Sequence, residues 1–376
     1  MRPLGQGWCP GAYTPMASGD GLLVRLRPRL SRLSLQQGLD ICDLAERHGS
    51  GVMEVTSKAN LQLRGIKQDQ YEEILDALLA LEVLDETAEI ESRHNFVMAP
   101  DWEQGSLSQA LAEEFYERLH ELPELPAKFS FALDLGKIRR LATVSSDIRI
   151  EQSKNGDILV SADGAEMGLT VAPSDAITAT IKLAHWFSDT GGAVHKRMKA
   201  HLKNQILPDR WQIQSRASHD APLKPGPSDI GFIVGIPFGQ TDSESIRQLL
   251  LSHTPQAIRL TPWRGLILEG TDTIKTSHFI VNHNDTLLAI HACPGAPYCT
   301  SATVETRNLA RSLAGQISGI LHVSGCSKGC AHPKKSELTI VGENGQFSLI
   351  KKGCSWDEPS RHGLSAEEIL KAKIVL

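Results

Sequence analysis

Seven cysteines occur in the 376 residues, and four of them fall in one stretch near the end of the chain, HACPGAPYC followed by VSGCSKGCAHP. Cys293 and Cys299 form C-x5-C, Cys326 and Cys330 form C-x3-C, and 26 residues lie between the pairs. Two thiolate pairs can hold an iron-sulfur cluster or a structural zinc. Zinc sites favour about two to four residues within each pair, so the first spacing is awkward for zinc and the second is not. Pro294, Gly295 and Pro297 turn the first loop tightly, Gly325 and Gly329 the second, and both loops then let backbone N–H groups approach cluster sulfurs. A helix starting after Cys299, capped by Thr300 or Ser301, would point its positive end at an anionic cluster. The remaining cysteines are isolated. Cys42 reads as a small core filler within a helix, Cys354 stands alone, and the place of Cys9 in WCPG is open. His291 and His332 flank the pairs, but a lone histidine is more often a hydrogen-bonded bystander than a ligand, and no two-His, one-carboxylate set follows from spacing.

The second chemical feature is polar alternation in two N-terminal segments. In VTSKANLQLRG, Thr56, Lys58, Asn60, Gln62 and Arg64 fall on one face of a strand and the apolar residues on the other. In LLVRLRP, Arg25 and Arg27 share a side in the same way. An ordinary half-solvated antiparallel sheet would look similar. Yet Arg25, Arg27, Lys58 and Arg64 come with no acid between them, and a polyanionic ligand would be a natural cover.

These residues need a scaffold, and the sequence offers α/β material with an internal echo. GDGLLVRLRPRL reads as a strand, SLQQGLDICDLAERHG as a helix closed by Gly49, GVMEVTSKANLQLRGI as a second strand and QYEEILDALLALEV as a helix. About 200 residues later the order returns as DIGFIVGIPF, TDSESIRQLLLSH and AIRLTPWRGLILEG. Setting Val55-Thr56 against Leu260-Thr261 also brings Leu61 against Leu266, which suggests a duplicated unit whose two copies pair into one domain. Between the copies lie a helix with a capping box at Ser106 and Gln109, the strands KFSFALDLG and IRIEQSKNGDILVSADG, and the helix SDAITATIKLAHWFSD. Residues 215–229, rich in Pro, Gly and Ser, read as a linker.

Composition limits the function classes. Apolar residues at 41% and charged residues at 22% are those of a globular chain, and the net charge of -5 exerts no global pull on nucleic acid. The N-terminus has no apolar leader and no window approaches the roughly 18 apolar residues of a membrane span, so a cytoplasmic protein without membrane partners is expected. In that reducing compartment clustered cysteines point to metal or redox chemistry rather than disulfides. The stretch from Gly235 to Gly239 is not a nucleotide fingerprint.

C-x5-C followed by G-C-x3-C resembles the 4Fe-4S signature of the siroheme-dependent sulfite and nitrite reductases, and the likeness spans most of the chain. LVRLRP, TSKANLQLRG, RHNFVMAP, LPAKFSFALD and RMKAHLK fall in the order of that superfamily's anion-binding and tetrapyrrole-binding segments. The resemblance implies an α/β (α+β) fold of paired ferredoxin-like halves with two further α/β domains. Mapped here, these are 1–85 and 230–285 for the halves, 86–214 and 286–376 for the α/β domains, and 215–229 for the linker. It also implies that Cys293, Cys299, Cys326 and Cys330 bind a 4Fe-4S cluster. Within the superfamily, PMASGDGLLVRLRP, ACPGAPYC, VSGCSKGCAHP and LTPWRG resemble the branch of precorrin-3B synthases. That branch implies an iron-sulfur monooxygenase of aerobic cobalamin biosynthesis, which hydroxylates precorrin-3A with O2 and closes a γ-lactone. A non-haem iron and NADH as electron donor are associated with it, with an electron-donor protein as a further partner. In this reading Arg25, Arg27, Lys58, Arg64, Lys128, Arg197 and Lys203 would clamp the tetrapyrrole carboxylates, with Asn60 and Gln62 as neutral donors.

Two departures separate the chain from the reductases. Of the four basic side chains that surround their bound anion, Arg27, Lys58 and Lys128 look equivalent, but the fourth position is Ser130. In RMKAHLK, His201 stands where the reductases tend to carry Arg. A siroheme-dependent sulfite or nitrite reductase, with siroheme as cofactor, is the alternative these departures weigh against.

Overall fold

In the computed structural model, which describes residues 10–219 and 221–371, the internal echo becomes a pair of matching five-stranded sheets. The first orders Met16–Ser18, Gly21–Leu26, Leu61–Ile66, Val52–Val55 and Gln240–Asp242. The second orders Gly226–Ser228, Gly231–Gly235, Gly265–Glu269, Ala257–Thr261 and Arg32–Ser34. Each copy therefore lends its third strand to the edge of the other sheet. The helix that follows each lent strand, Leu35–His48 or Ser243–His253, packs against its counterpart. Both helices are capped at the strand exit: the Ser34 hydroxyl accepts from Gln37 N–H in a complete capping box, and the Asp242 carboxylate accepts from Ser245 N–H. One apolar core runs through both copies, from Val24, Ile41 and Leu63 to Val234, Leu250 and Leu266, because neither copy alone covers its own sheet.

Two segments expected as single strands are hairpins. Val52–Val55 turns back into Leu61–Ile66, and Ala257–Thr261 into Gly265–Glu269. The reversal rests on one left-handed residue in each turn, Ala59 at φ 54° and Arg264 at φ 59°. Apolar alternation runs through both arms and does not betray the turn between them. The aligned residues do match in three dimensions, since Val55 pairs with Leu61 and Leu260 with Leu266.

The remaining two sheets flank this pair. Gln214–Ser215, Met167–Val171, Ile158–Ala162, Ile148–Gln152, Phe131–Asp134 and Phe96–Met98 form a six-stranded mixed sheet with its own aromatic-rich core. Ile290–Ala292, Leu321–Ser324, Ser336–Glu343, Gln346–Gly353 and Arg361–Leu364 form the last sheet, over a third core. The 215–229 stretch contributes structure at both ends, Ser215 to the six-stranded sheet and Gly226–Ser228 to the second ferredoxin-like one. At Ser106 the capping box is half formed: its hydroxyl accepts from Gln109 N–H, while the Gln109 amide oxygen accepts from Gly105 N–H instead. Among the described residues no helix is long and apolar enough to cross a membrane.

Candidate functional site

The two cysteine loops meet because of strand order. Ile290–Ala292 and Leu321–Ser324 are parallel neighbours with Ala292 opposite Val323, so their C-terminal ends release Cys293 and Cys326 side by side. Open α/β sheets commonly place ligands at such ends. Cys293 is buried, Cys299 and Cys326 are half-buried, Cys330 is exposed, and all four are free thiols. Burial pushes the Cys326 thiol up, and Cys299 and Cys293 lie near enough to push it further. The loops touch through backbone: a Cβ on Gly325 would stand 2.6 Å from Ala302 Cβ and 3.2 Å from Gly295 Cα. Ala331 N–H donates to the Cys293 sulfur at 3.4 Å. Four thiols spread around a loop junction with a backbone donor on one of them suit a multi-iron cluster, which distributes its ligands over several metal atoms. Among the described residues, no group of three His, Cys, Asp or Glu is placed to hold a single metal ion.

The helix expected directly after Cys299 is not there. Cys299 and Ala302 close a turn, Ser301 accepts from the Lys328 ammonium at 2.8 Å, and the first helix, Arg307–Ser312, begins after Thr306. The Thr306 hydroxyl is used on the Cys293 carbonyl at 2.5 Å instead of on a helix N-terminus. Cys42 is buried in the core of the first ferredoxin-like sheet, where burial pushes its thiol up to about 12, and Cys354 is buried beside the second cysteine loop, which its neighbour Ser355 meets by donating to the Ser327 carbonyl at 3.0 Å. Cys9 lies outside the described residues.

The basic residues do not share one open face. Thr56, Lys58 and Asn60 sit in the hairpin turn: Thr56 N–H donates to the Asn60 carbonyl, and the Thr56 hydroxyl accepts from the N–H groups of Lys58 and Asn60. Arg64 is buried, and its guanidinium is held by Asp20 at 2.9 Å and Glu54 at 3.4 Å. The acids missing from the alternation arrive from elsewhere, Glu54 across the hairpin opposite Gln62 and Asp20 from the preceding turn. Arg64 also donates to the Tyr298 carbonyl at 3.0 Å, and so ties the first cysteine loop to the ferredoxin-like sheet. Glu54 collects Arg64, Gln62, Gln240 and Arg307; burial pushes its carboxyl up, but Arg307 and Arg64 outweigh that and hold it below the usual range. Arg25 bonds Gln62, and Arg27 pairs with Glu91 at 3.0 Å.

A second set gathers around Ser130. The Lys58 ammonium donates to its hydroxyl at 2.7 Å and to the Ser145 carbonyl, and Arg197 pairs with Asp147 at 2.9 Å and donates to the Ser145 hydroxyl. Ser130 N–H donates to the same Asp147 carboxylate at 2.9 Å. Lys128 and Lys203 are exposed. His201 is buried, hydrogen-bonded to Thr190 at 2.8 Å and His195 at 3.0 Å.

Between the two hairpin turns and the second cysteine loop lies a cavity of about 660 Å³. Ser57 enters from the first turn, Trp263 and Arg264 from the second, and His291 and Ala331 from the cysteine-bearing unit; the 222–225 and 283–289 segments close the sides. Arg264 donates to the Ala331 carbonyl at 2.9 Å, and burial lowers its guanidinium from the usual value. The Trp263 indole N–H is buried without a protein partner. His291 stacks on His332 at 4.2 Å, with His322 edge-on to His332 at 5.9 Å. Burial, reinforced by His332 and Arg264, pushes His291 and His322 down to about 3. The sequence reading missed Trp263, Arg264, Glu54 and His322. The internal alignment held the signal for the first two, since it sets Arg264 against Ala59 in the turn.

Residues 14–81 match the family of nitrite/sulfite reductase ferredoxin-like half domains. The solved structure of the Mycobacterium tuberculosis NirA protein superposes with a TM-score of 0.62 at 16% identity, over 93% of this chain and 79% of that one. The chain has the sulfite/nitrite reductase fold. A precorrin-3B synthase of Sinorhizobium sp is 29% identical, over 95% of this chain and 85% of the relative. The ferredoxin–nitrite reductase of Synechococcus elongatus is 21% identical, over 89% and 78%. Within the sulfite/nitrite reductase fold, identity thus favours the precorrin-3B synthase resemblance over the nitrite reductase one.

Proposed function

We propose that the chain is a precorrin-3B synthase-type monooxygenase. It takes precorrin-3A, places one atom of O2 on the macrocycle and closes a γ-lactone from the ring-A acetate; the other oxygen atom leaves as water with two electrons and two protons. The observation that carries this reading is that the basic side chains around Ser130 are taken up by protein partners or turned to solvent and do not converge on one point. A reductase must hold a small oxyanion among converging positive charges. Here Arg27 is paired with Glu91, Arg197 with Asp147, Lys58 is bonded to Ser130 and Ser145, and Lys128 stands in solvent. The cavity is of cofactor size, with mixed apolar and polar walls, and suits a large tetrapyrrole edge better than a triatomic or tetratomic anion.

In this reading Cys293, Cys299, Cys326 and Cys330 hold a 4Fe-4S cluster, which supplies one-electron transfer when bound. NADH gives up a hydride, a two-electron unit, so an electron-donor protein that splits the pair belongs between NADH and a one-electron centre. Arg25, Lys58, Arg197 and Asn60 frame the approach to the macrocycle, Gln62 is buried beneath them with its amide shared between Glu54 and Arg25, and Arg264 and Trp263 orient the macrocycle from the opposite turn. Arg64 serves as a strut for the cysteine loop. For the non-haem iron this reading implies, no group of three His, Cys, Asp or Glu stands ready among the described residues. We place the units at 1–85, 86–214, 230–285 and 286–376 with the 215–229 connection between them.

The test is anaerobic purification followed by two assays. With reductant and sulfite or nitrite we expect negligible turnover, and with precorrin-3A and labelled O2 a hydroxylated lactone carrying one labelled oxygen. Tightly bound siroheme with sulfide or ammonia formed at enzymatic rates would replace this reading with the reductase one.

A further inference from the structure

Three polar groups meet the sulfur of Cys293: His322 Nε2 at 3.6 Å, the Ser324 hydroxyl at 3.4 Å and the Ala331 N–H at 3.4 Å. They are not equivalent. A hydroxyl carries one proton, and that of Ser324 lies 2.7 Å from the Cys326 carbonyl, a shorter and stronger claim than the sulfur makes. Ser324 thus ties the second cysteine loop to its strand, and His322 and Ala331 are left as donors to the sulfur.

His322 is fully buried, in register with His291 on the parallel strand pair that releases both cysteine loops. An imidazole carries a proton on at least one of its two nitrogens. Its Nδ1 is buried without a protein partner. A proton there would be an orphaned donor, whereas a proton on Nε2 reaches the sulfur, so the sulfur selects the Nε2–H tautomer. The strand fixes the ring, and full burial excludes the water that would otherwise compete for the bond.

We infer that His322 is a tuning residue for the metal centre: its Nε2–H bond to the Cys293 sulfur, beside the Ala331 N–H, raises the reduction potential of the cluster. This rests on Cys293 being a cluster ligand. Reduction adds negative charge that is shared with the thiolate sulfurs, and a donor bonds the more negative sulfur more strongly. The reduced state gains more than the oxidised state, and the potential rises. The same histidine stands edge-on to His332, which stacks on the cavity-lining His291, so the tuned thiolate lies directly behind the cavity wall.

The experiment compares wild type with His322→Leu, which removes the donor, and His322→Gln, which keeps an N–H. Iron and sulfide per chain and the midpoint potential from EPR-monitored titration are measured on anaerobically purified protein. We expect iron and sulfide to be unchanged in His322→Leu and its reduction equilibrium to shift about tenfold toward the oxidised state, a fall of about 59 mV for one electron. His322→Gln recovers part of the difference. An unchanged midpoint in cluster-replete His322→Leu overturns the inference. Should His322→Leu fail to hold its cluster, the reduced wild type labelled with 15N-histidine decides: a nitrogen coupling that is absent from His322→Gln supports the bond, and its absence from wild type overturns it. Wild type without iron and sulfide refutes the cluster reading itself, and this inference falls with it.

Discussion

Replacing Arg64 with Met separates a strut from a substrate clamp. From the alternation alone, Arg64 belongs to a carboxylate-binding face, and its loss should weaken tetrapyrrole binding and leave the fold alone. The structure gives the opposite expectation. Its guanidinium donates twice to Asp20, at 2.9 and 3.1 Å, once to the Ser18 hydroxyl at 2.8 Å and once to the Tyr298 carbonyl at 3.0 Å, and it meets Glu54 at 3.4 Å. Removing one partner of a buried ion pair costs about 3–5 kcal/mol, because the other charge stays buried. Glu54 keeps Arg307 at 2.9 Å, so the cost belongs near the lower end, about 3 kcal/mol, with Asp20 the principal carboxylate left unpaired. The assay is urea unfolding of Arg64→Met beside the Arg64→Met, Asp20→Asn double variant, in which the stranded charge is gone. We expect a large drop in midpoint for the single variant and a partial return for the double, with coupling visible as non-additivity. A stability loss below about 1 kcal/mol, the range of an exposed pair, together with weakened ligand binding would refute the strut and restore the clamp.

Changing any of Cys293, Cys299, Cys326 or Cys330 to Ser should remove most iron and sulfide, whereas Cys42→Ala and Cys354→Ala should retain both; equal metal content in the two sets would withdraw the ligand assignment. Gly325→Ala puts a methyl 2.6 Å from Ala302 Cβ, which forces the cysteine loops apart, so iron per chain should fall by more than half. The Glu54 carboxyl is held below its usual value by Arg307 and Arg64, so its contribution to stability is full above the unfolded value of about 4.3 and is lost as pH falls through the folded one. Urea midpoints between about pH 6 and pH 3 should therefore fall more steeply for wild type than for Glu54→Gln, and parallel curves would count against the Glu54 network.

The sequence by itself determined which local pieces exist and that they occur twice. Helix limits were legible where the ends carry local signals, as at Ser34 and Gly49, and the cysteine spacing marked the two loops that meet at the end of the last sheet without any knowledge of that sheet. The Val55 and Leu260 alignment even located equivalent hairpin positions, because both copies bury the same register. What alternation could not express was reversal. One left-handed residue folds an arm back without disturbing the apolar pattern on either side, so Ala59 and Arg264 passed as strand. Only the tertiary structure decided where charge is spent. Glu54 lies ten residues before Arg64 and reaches it across a hairpin, while Arg307 reaches Glu54 from the cysteine-bearing unit. A face that is free of acids along one strand can thus be neutralised by its neighbours, since ion pairs follow distance in space and a strand pattern records only position along the chain. The same reason hid His322. In the sequence it is one histidine among fourteen, and its meaning comes from the parallel register that sets it against His291 and 3.6 Å from the Cys293 sulfur.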